Sequence, residues 1–287
     1  MAQRSNLKGI ACILISSFGF AMMSFFVRLA GDVPVFEKAF FRNFVAAIIA
    51  LIMLRRSGIP LRVSRAELPA MAGRCVFGTV GLVSKFWAIG HIALADANML
   101  NKLAPIFAIL FSIWLVKELP SLFDFICVAL ALLGALLVVK PGSGLFQPGA
   151  LIGALGGMCA GIAYTYVRIM GKMGVKGPVI VCCFSLFSCL VCLLLSISHF
   201  VMLSSSQLLC LLAAGSCGAL AQFAVTAAYT YAPAREISVF DYSQVLFAAL
   251  LAFLFWHELP DVFSILGYVL IIGAAVWRWH RTLHSHF

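Results

Sequence analysis

Hydrophobic residues run along this chain in long stretches, separated by short polar clusters and without period-two alternation. Stretches of about 20 residues match a helix crossing a bilayer, whereas a membrane barrel would show shorter segments of alternating polarity. The pattern predicts ten spans, at 7–29, 35–54, 68–90, 94–115, 121–139, 148–170, 177–198, 207–231, 235–255 and 261–279. The first is longer than a signal-peptide apolar region and precedes many like it, so it reads as a retained span behind Arg4 and Lys8. The longest polar connection is Arg55 to Glu67, and the other turns are short enough that sequential helices should be antiparallel neighbours. No extramembrane domain fits between them.

Composition extends this picture to the outside of the molecule. With 63% hydrophobic residues, 10% charged and a mean hydropathy of +1.09, the exterior must be apolar as well as the core, which lipid permits. The basic residues then orient the chain. With the N-terminus inside, the cytoplasmic side receives Arg4, Lys8, Arg55, Arg56, Arg62, Arg65, Lys117, Arg168, Lys172, Lys176, Arg235, Arg278 and Arg281, against Arg28, Lys38 and Lys140 outside. Both termini are therefore expected in the cytoplasm, with the chain multi-pass in the cell membrane. This asymmetry accounts for much of the net charge of +10 without nucleic acid. Cys182, Cys183, Cys189 and Cys192 lie within one apolar span and read as small hydrophobes, with no metal site.

The chain also repeats itself. A shift of 140 residues lays Lys117-Glu118-Leu119-Pro120 on His257-Glu258-Leu259-Pro260, Phe107 on Phe247, Ala108 on Ala248 and Leu130 on Leu270. Residues 1–143 and 144–287 thus form two units of five spans each, an odd number, so tandem copies cross the membrane in opposite senses. The expected fold is an all-α polytopic membrane protein of ten helices in two inverted five-helix repeats. Such halves can expose a shared cavity first to one side and then to the other.

Several residues carry a resemblance. Phe41-Arg42 early in the second span, Leu103-Ala104-Pro105 followed by Glu118 and Gly134, and the echo ending in Glu258 are similar to the EamA-type branch of the drug/metabolite transporter superfamily. The likeness covers essentially the whole chain and implies ten helices in two inverted repeats that move small organic solutes. It departs at Val245, which stands where the first half has Pro105, so a broken helix at the centre is expected in the first half only. Pro105 should disturb its helix about one turn earlier, near Asn101 and Lys102, and Asp241, Tyr242 and Gln244 serve in the second half.

Helical spacing gathers candidate cavity residues. Arg74, Gly78, Gly81 or Leu82, and Lys85 share one face of the third span, and Asn98, Asn101 or Lys102, and Pro105 one face of the fourth. Charges this deep face a bundle interior or water. Ser17, Phe20, Ser24 and Arg28 follow on the first span, Gly153, Gly157, Gly161, Tyr164 and Arg168 on the sixth, and Gly215, Gly218, Gln222 and Tyr229 on the eighth. The glycines read first as close-packing positions. Tyr164, Gln222 and Tyr242 serve equally as ligand-orienting or satisfied core groups. Glu118 and Glu258, each before Leu-Pro, read as helix-boundary or gating residues, and Asp124 as a helix-start acid.

The chain carries no phosphate-cradling Gly-rich loop ending in Lys-Ser/Thr, no catalytic constellation and no motif that calls for a cofactor. The leading function is a secondary transporter using alternating access, with substrate-binding candidates Arg42, Arg74, Lys85, Asn98, Asn101, Lys102, Tyr164, Gln222, Asp241 and Tyr242. Four basic residues face the acids Glu37, Asp96 and Asp241, of which Glu37 and Asp96 are expected at a solvated outer rim, so the solute is expected to be anionic. The expected partners are that solute and membrane lipid. Proton or counter-solute coupling and a homodimer stay open, as do export of zwitterionic amino acids or amphipathic drugs and, in another class, a membrane scaffold or intramembrane enzyme.

Overall fold

The structure, a computed structural model, describes residues 2–91, 100–139, 148–197, 201–257 and 261–284. The described residues form ten long helices: α1 (Ala2–Leu29), α2 (Val35–Arg56), α3 (Leu68–His91), α4 (Ala104–Leu115), α5 (Leu122–Val139), α6 (Pro148–Lys172), α7 (Gly177–Ser196), α8 (Ser205–Tyr231), α9 (Ser243–Trp256) and α10 (Val262–His284). Six segments are long and apolar enough to cross a membrane, the stretch Ala234–Phe255 that ends in α9 among them, and α4 and most of α5 are shorter apolar helices. The two long helices left over, α2 and α3, carry Arg42, Arg74 and Lys85. Leu151, Leu194, Leu254 and Val276 are exposed on the outside, where a soluble protein would place polar groups.

Local chemistry sets the helix ends. Ser64 and Glu67 exchange backbone hydrogen bonds of 2.8 and 3.3 Å at the start of α3, and Ser204 and Gln207 do so at the start of α8. At α5, Asp124 Oδ2 accepts from Ser121 N at 2.7 Å; at α10, Asp261 Oδ1 accepts from Ser264 N at 2.9 Å. These two caps stand 140 residues apart with acid and serine exchanged. The two non-glycine residues of positive φ among the described residues, Lys117 (59°) and His257 (53°), are likewise 140 apart. The repeat is therefore present in the backbone and in the turn chemistry.

Packing corrects one expectation. Sequential helices are not the principal neighbours: the closest-packed pairs all join one half to the other. α1 packs on α8 as α3 packs on α6, α4 on α6 as α1 on α9, and α2 on α8 as α3 on α7, while α2–α7 and α5–α10 pair equivalent helices. Gly19 against Ala221 and Gly81 against Cys159 are the same contact made twice, since 19 and 159, and 81 and 221, differ by 140. Short turns fix direction, but small residues decide which backbones can approach. A Cβ at Gly161 would lie 2.7 Å from Ala104 O and 2.8 Å from Ala108 N, both backbone atoms of α4. Gly161→Ala is therefore expected to separate α4 from α6 and destabilise the protein by about 1–3 kcal/mol, read as a lowered thermal midpoint in detergent. An unchanged midpoint would contradict this close approach.

Gly9 near the start of α1 packs against Ala232 and Ile237, and Arg278 near the end of α10 pairs with Glu236. Both ends of the chain thus lie on one face, which we call the terminal face.

Candidate functional site

The helices break where the two halves meet. The chain turns at Lys102 and Leu103, and α4 then starts with Pro105 in its first turn, so the helical run ahead of α4 is interrupted within the predicted span 94–115. The second half breaks as well, contrary to the expectation drawn from Val245: after Pro233 comes a short turn at Ala234–Ile237, then a 3₁₀ turn at Ser238–Tyr242, before α9. No proline is needed because side chains satisfy the carbonyls that the break frees. Lys102 Nζ and Ser17 Oγ donate to Asp241 O at 3.2 and 3.4 Å, and Ser243 Oγ donates to Phe240 O at 2.7 Å. Tyr242 Oη returns the contact by donating to Lys102 O at 2.9 Å. Positions 102 and 242 are equivalent in the repeat, so each half braces the other's broken turn.

Around this crossing lies a cavity of about 90 Å³. Arg42, Arg74, Lys85, Asn101, Lys102, Tyr164, Gln222 and Asp241 line it together, with Gln244, Phe20, Met23 and Phe184. Tyr242 is fully buried and holds the Lys102 carbonyl. Pro105 is buried, and its carbonyl accepts from Ser238 Oγ at 3.4 Å. Asn98, Asp96 and Glu258 lie outside the described residues.

The charges around the cavity are unequally answered. Lys102 Nζ lies 3.2 Å from Asp241 Oδ2 and donates to Gln244 Oε1 at 2.5 Å, so its charge has a carboxylate. Arg42 Nη2 donates to Gln222 Oε1 at 3.0 Å, and Gln222 Nε2 donates onward to Thr226 Oγ1 at 3.3 Å. This amide answers hydrogen bonding but not charge, and Arg42 Nε is buried without an acceptor. The Arg74 guanidinium lies over the Phe184 ring at 3.8 Å, and its Nε is also buried without an acceptor. Gly78 makes this possible, because a Cβ there would collide with Arg74 Nη1. Among the described residues no carboxylate lies within ion-pair distance of Arg42, Arg74 or Lys85. Glu37 does not help: it is 1% exposed, not solvated as expected, because its Oε1 accepts from Val201 N at 2.7 Å in the connection to α8.

Toward the terminal face the cavity is sealed in two layers. Tyr164 stacks on Tyr229 with ring centroids 4.7 Å apart. One turn beyond Tyr164, Arg168 leaves the expected polar face of α6 and binds Glu118 Oε1 through Nε at 3.0 Å and Nη2 at 2.9 Å, while its Nη1 donates to Thr230 O at 3.1 Å. Lys172 reaches the same Glu118 oxygen at 2.9 Å. Beside them Arg278 binds Asp124 Oδ1 and Glu236 Oε2, each at 2.5 Å. Glu118 and Asp124 belong to the first half, and all their cationic partners belong to the second. Sequence reading placed Asp124 at a helix start, where it does cap Ser121, but missed Arg278. It also missed Phe184, since one phenylalanine in an apolar span gives no signal of a guanidinium above it.

Comparisons with known proteins identify the family. The EamA-like transporter family model matches residues 7–140 and again 147–278. The pseudopaline exporter CntI of Pseudomonas aeruginosa is 33% identical over 93% of this chain and 94% of its own length. An S-adenosylmethionine uptake transporter of Rickettsia prowazekii is 23% identical over 96% of this chain and 94% of its own. A solved crystal structure shares the fold with a TM-score of 0.84 at 19% identity, covering 98% of this chain and 99% of the other. The chain belongs to the EamA-like transporter family and is a multi-pass membrane transporter, not an enzyme.

Proposed function

We propose that the protein is a secondary carrier of small anionic organic solutes, working by alternating access of two inverted five-helix halves whose termini face the cytoplasm. The observation that carries the anionic reading is the set of three cations, Arg42, Arg74 and Lys85, around one small cavity, none of them within ion-pair distance of a carboxylate among the described residues, while the cavity's Asp241 pairs with Lys102. Uncompensated charge within membrane helices is costly, and a bound anion relieves that cost. The similar proteins carry names of opposite transport direction, export and uptake, so direction stays out of the proposal.

The gate follows from the repeat. Glu118 with Arg168 closes the terminal face, and the 140-residue shift turns this pair into Glu258 with Arg28. Each glutamate then serves one face, and the carrier alternates between them. Asn98, in the same register as Ser238, belongs to the proposed lining by sequence alone.

Counterflow in sealed vesicles, measured with matched anionic, zwitterionic and cationic solutes, tests the assignment. Anions are expected to exchange best, and Arg42→Gln, Arg74→Gln and Lys85→Gln to lose anion exchange while remaining folded. Consistent preference for cations, or anion exchange intact in all three variants, would overturn it.

A further inference from the structure

Resting on the anion-carrier reading, the geometry points to a solute with two acidic groups a few carbon atoms apart, both held at once, one by Arg74 and the other by Arg42 with Lys85. A single carboxylate would compensate one of these three cations and leave two charged groups desolvated in the same small space. Lys102 does not alter this count, because Asp241 already stands 3.2 Å from it.

The three cations are not equivalent. Arg74 lies flat against Phe184, which occupies one face of the guanidinium and leaves the edge of the fork open. An open edge is the geometry that grips a carboxylate through two parallel hydrogen bonds. Arg42 has both amino groups engaged, Nη2 with Gln222 Oε1 at 3.0 Å and Nη1 more loosely with Asn43 Oδ1 at 3.4 Å, so it offers less than a full fork. Lys85 has no acceptor among the described residues and supplies a point charge.

Spacing sets the length of the solute. The Arg74 head lies at the level of Gly78, and Lys85 follows seven residues later on α3, about 10 Å along the helix axis at 1.5 Å per residue. The lean of helical side chains toward the N-terminus acts from the Lys85 side to shorten that gap. A short-chain dicarboxylate spans what remains, and the cavity of about 90 Å³ admits little more without opening.

The test uses the full chain in vesicles. Straight-chain dicarboxylates of four to seven carbons are compared with their own monomethyl esters, as competitors in counterflow and as stabilisers of the purified protein against heat. One diacid of the series is expected to bind about tenfold or more tightly than its ester, the yield of one further charge-assisted contact. Arg74→Gln should abolish that advantage, bringing diacid and ester to equal affinity, and Arg74→Lys should restore part of it. Diacid and ester acting equally across the series, or neither acting, would overturn the two-acid site. If esters and diacids bind equally but better than cations, the anion-carrier reading survives; if cations bind best, both fall.

Discussion

Glu118→Gln is expected to open the terminal face, raising the rate at which a membrane-impermeant maleimide reaches a cysteine placed at Thr230 by about thirtyfold. One Glu118 oxygen answers two cations, Arg168 and Lys172, and the pairs join the two halves. The amide keeps the shape and an acceptor but loses the charge, so two cations are left without their shared acid. Removing one partner of a buried pair costs about 3–5 kcal/mol. Lys172 is 45% exposed and its part is screened, which brings the loss nearer 2 kcal/mol. That difference acts on the closed state alone and translates into the expected population shift. Asp124→Asn, which deprives Arg278 of an acid from the first half, should act in the same direction. The experiment requires a background with the native thiols replaced. Labelling that stays slow in both variants would remove these pairs from the gate, and loss of proton-driven accumulation with the gate unchanged would make Glu118 a coupling residue instead.

The second large effect concerns Arg74 and has opposite signs for binding and stability. Arg74→Gln should weaken anion affinity by about 30-fold or more, the usual scale for truncating one partner of a desolvated charge pair. The solute-free protein, in contrast, should melt at the same temperature or higher, because the variant removes a buried cation that no carboxylate compensates among the described residues. Gly78→Ala separates position from charge: its methyl group displaces the Arg74 head and crowds the Phe184 ring, while all the charge remains. It should lower affinity without the gain in stability. A parallel fall of melting temperature and affinity in Arg74→Gln would mean that Arg74 holds the bundle together, not the solute.

Much of the lining of this cavity is legible in the sequence, and what is not has a physical cause. Charges in apolar helices stand out because lipid excludes them, so Arg42, Arg74, Lys85 and Lys102 could be read directly. The distance from Glu118 to Glu258 revealed the repeat, and the paired positive-φ residues Lys117 and His257 show the same register in the backbone. Helix partners were hidden, because the contacts that choose them are backbone approaches at Gly19, Gly81 and Gly161, and glycine looks alike in any helix. The second broken turn was hidden for a related reason. Proline announces a break, but at Ser238–Tyr242 the break is held by Lys102 and Ser17 from distant helices, which local sequence does not contain. Glu37 was misjudged because closeness to a helix start suggests water, whereas Val201 N supplies it with a backbone donor.

The cations of the cavity, Arg42, Arg74, Lys85 and Lys102, all belong to the first half, while the second half contributes Tyr164, Gln222, Asp241 and Gln244. If the halves rock past each other along the membrane normal, positive charge travels with only one of them. Transfer of one elementary charge across 100 mV is worth about 2.3 kcal/mol, so even partial displacement of several cations couples the motion to membrane voltage. A bound dianion cancels two of those four charges. In a carrier of the proposed kind, voltage would act on the empty return more than on the loaded passage, and an energised membrane would set the turnover rate through the step in which nothing is carried.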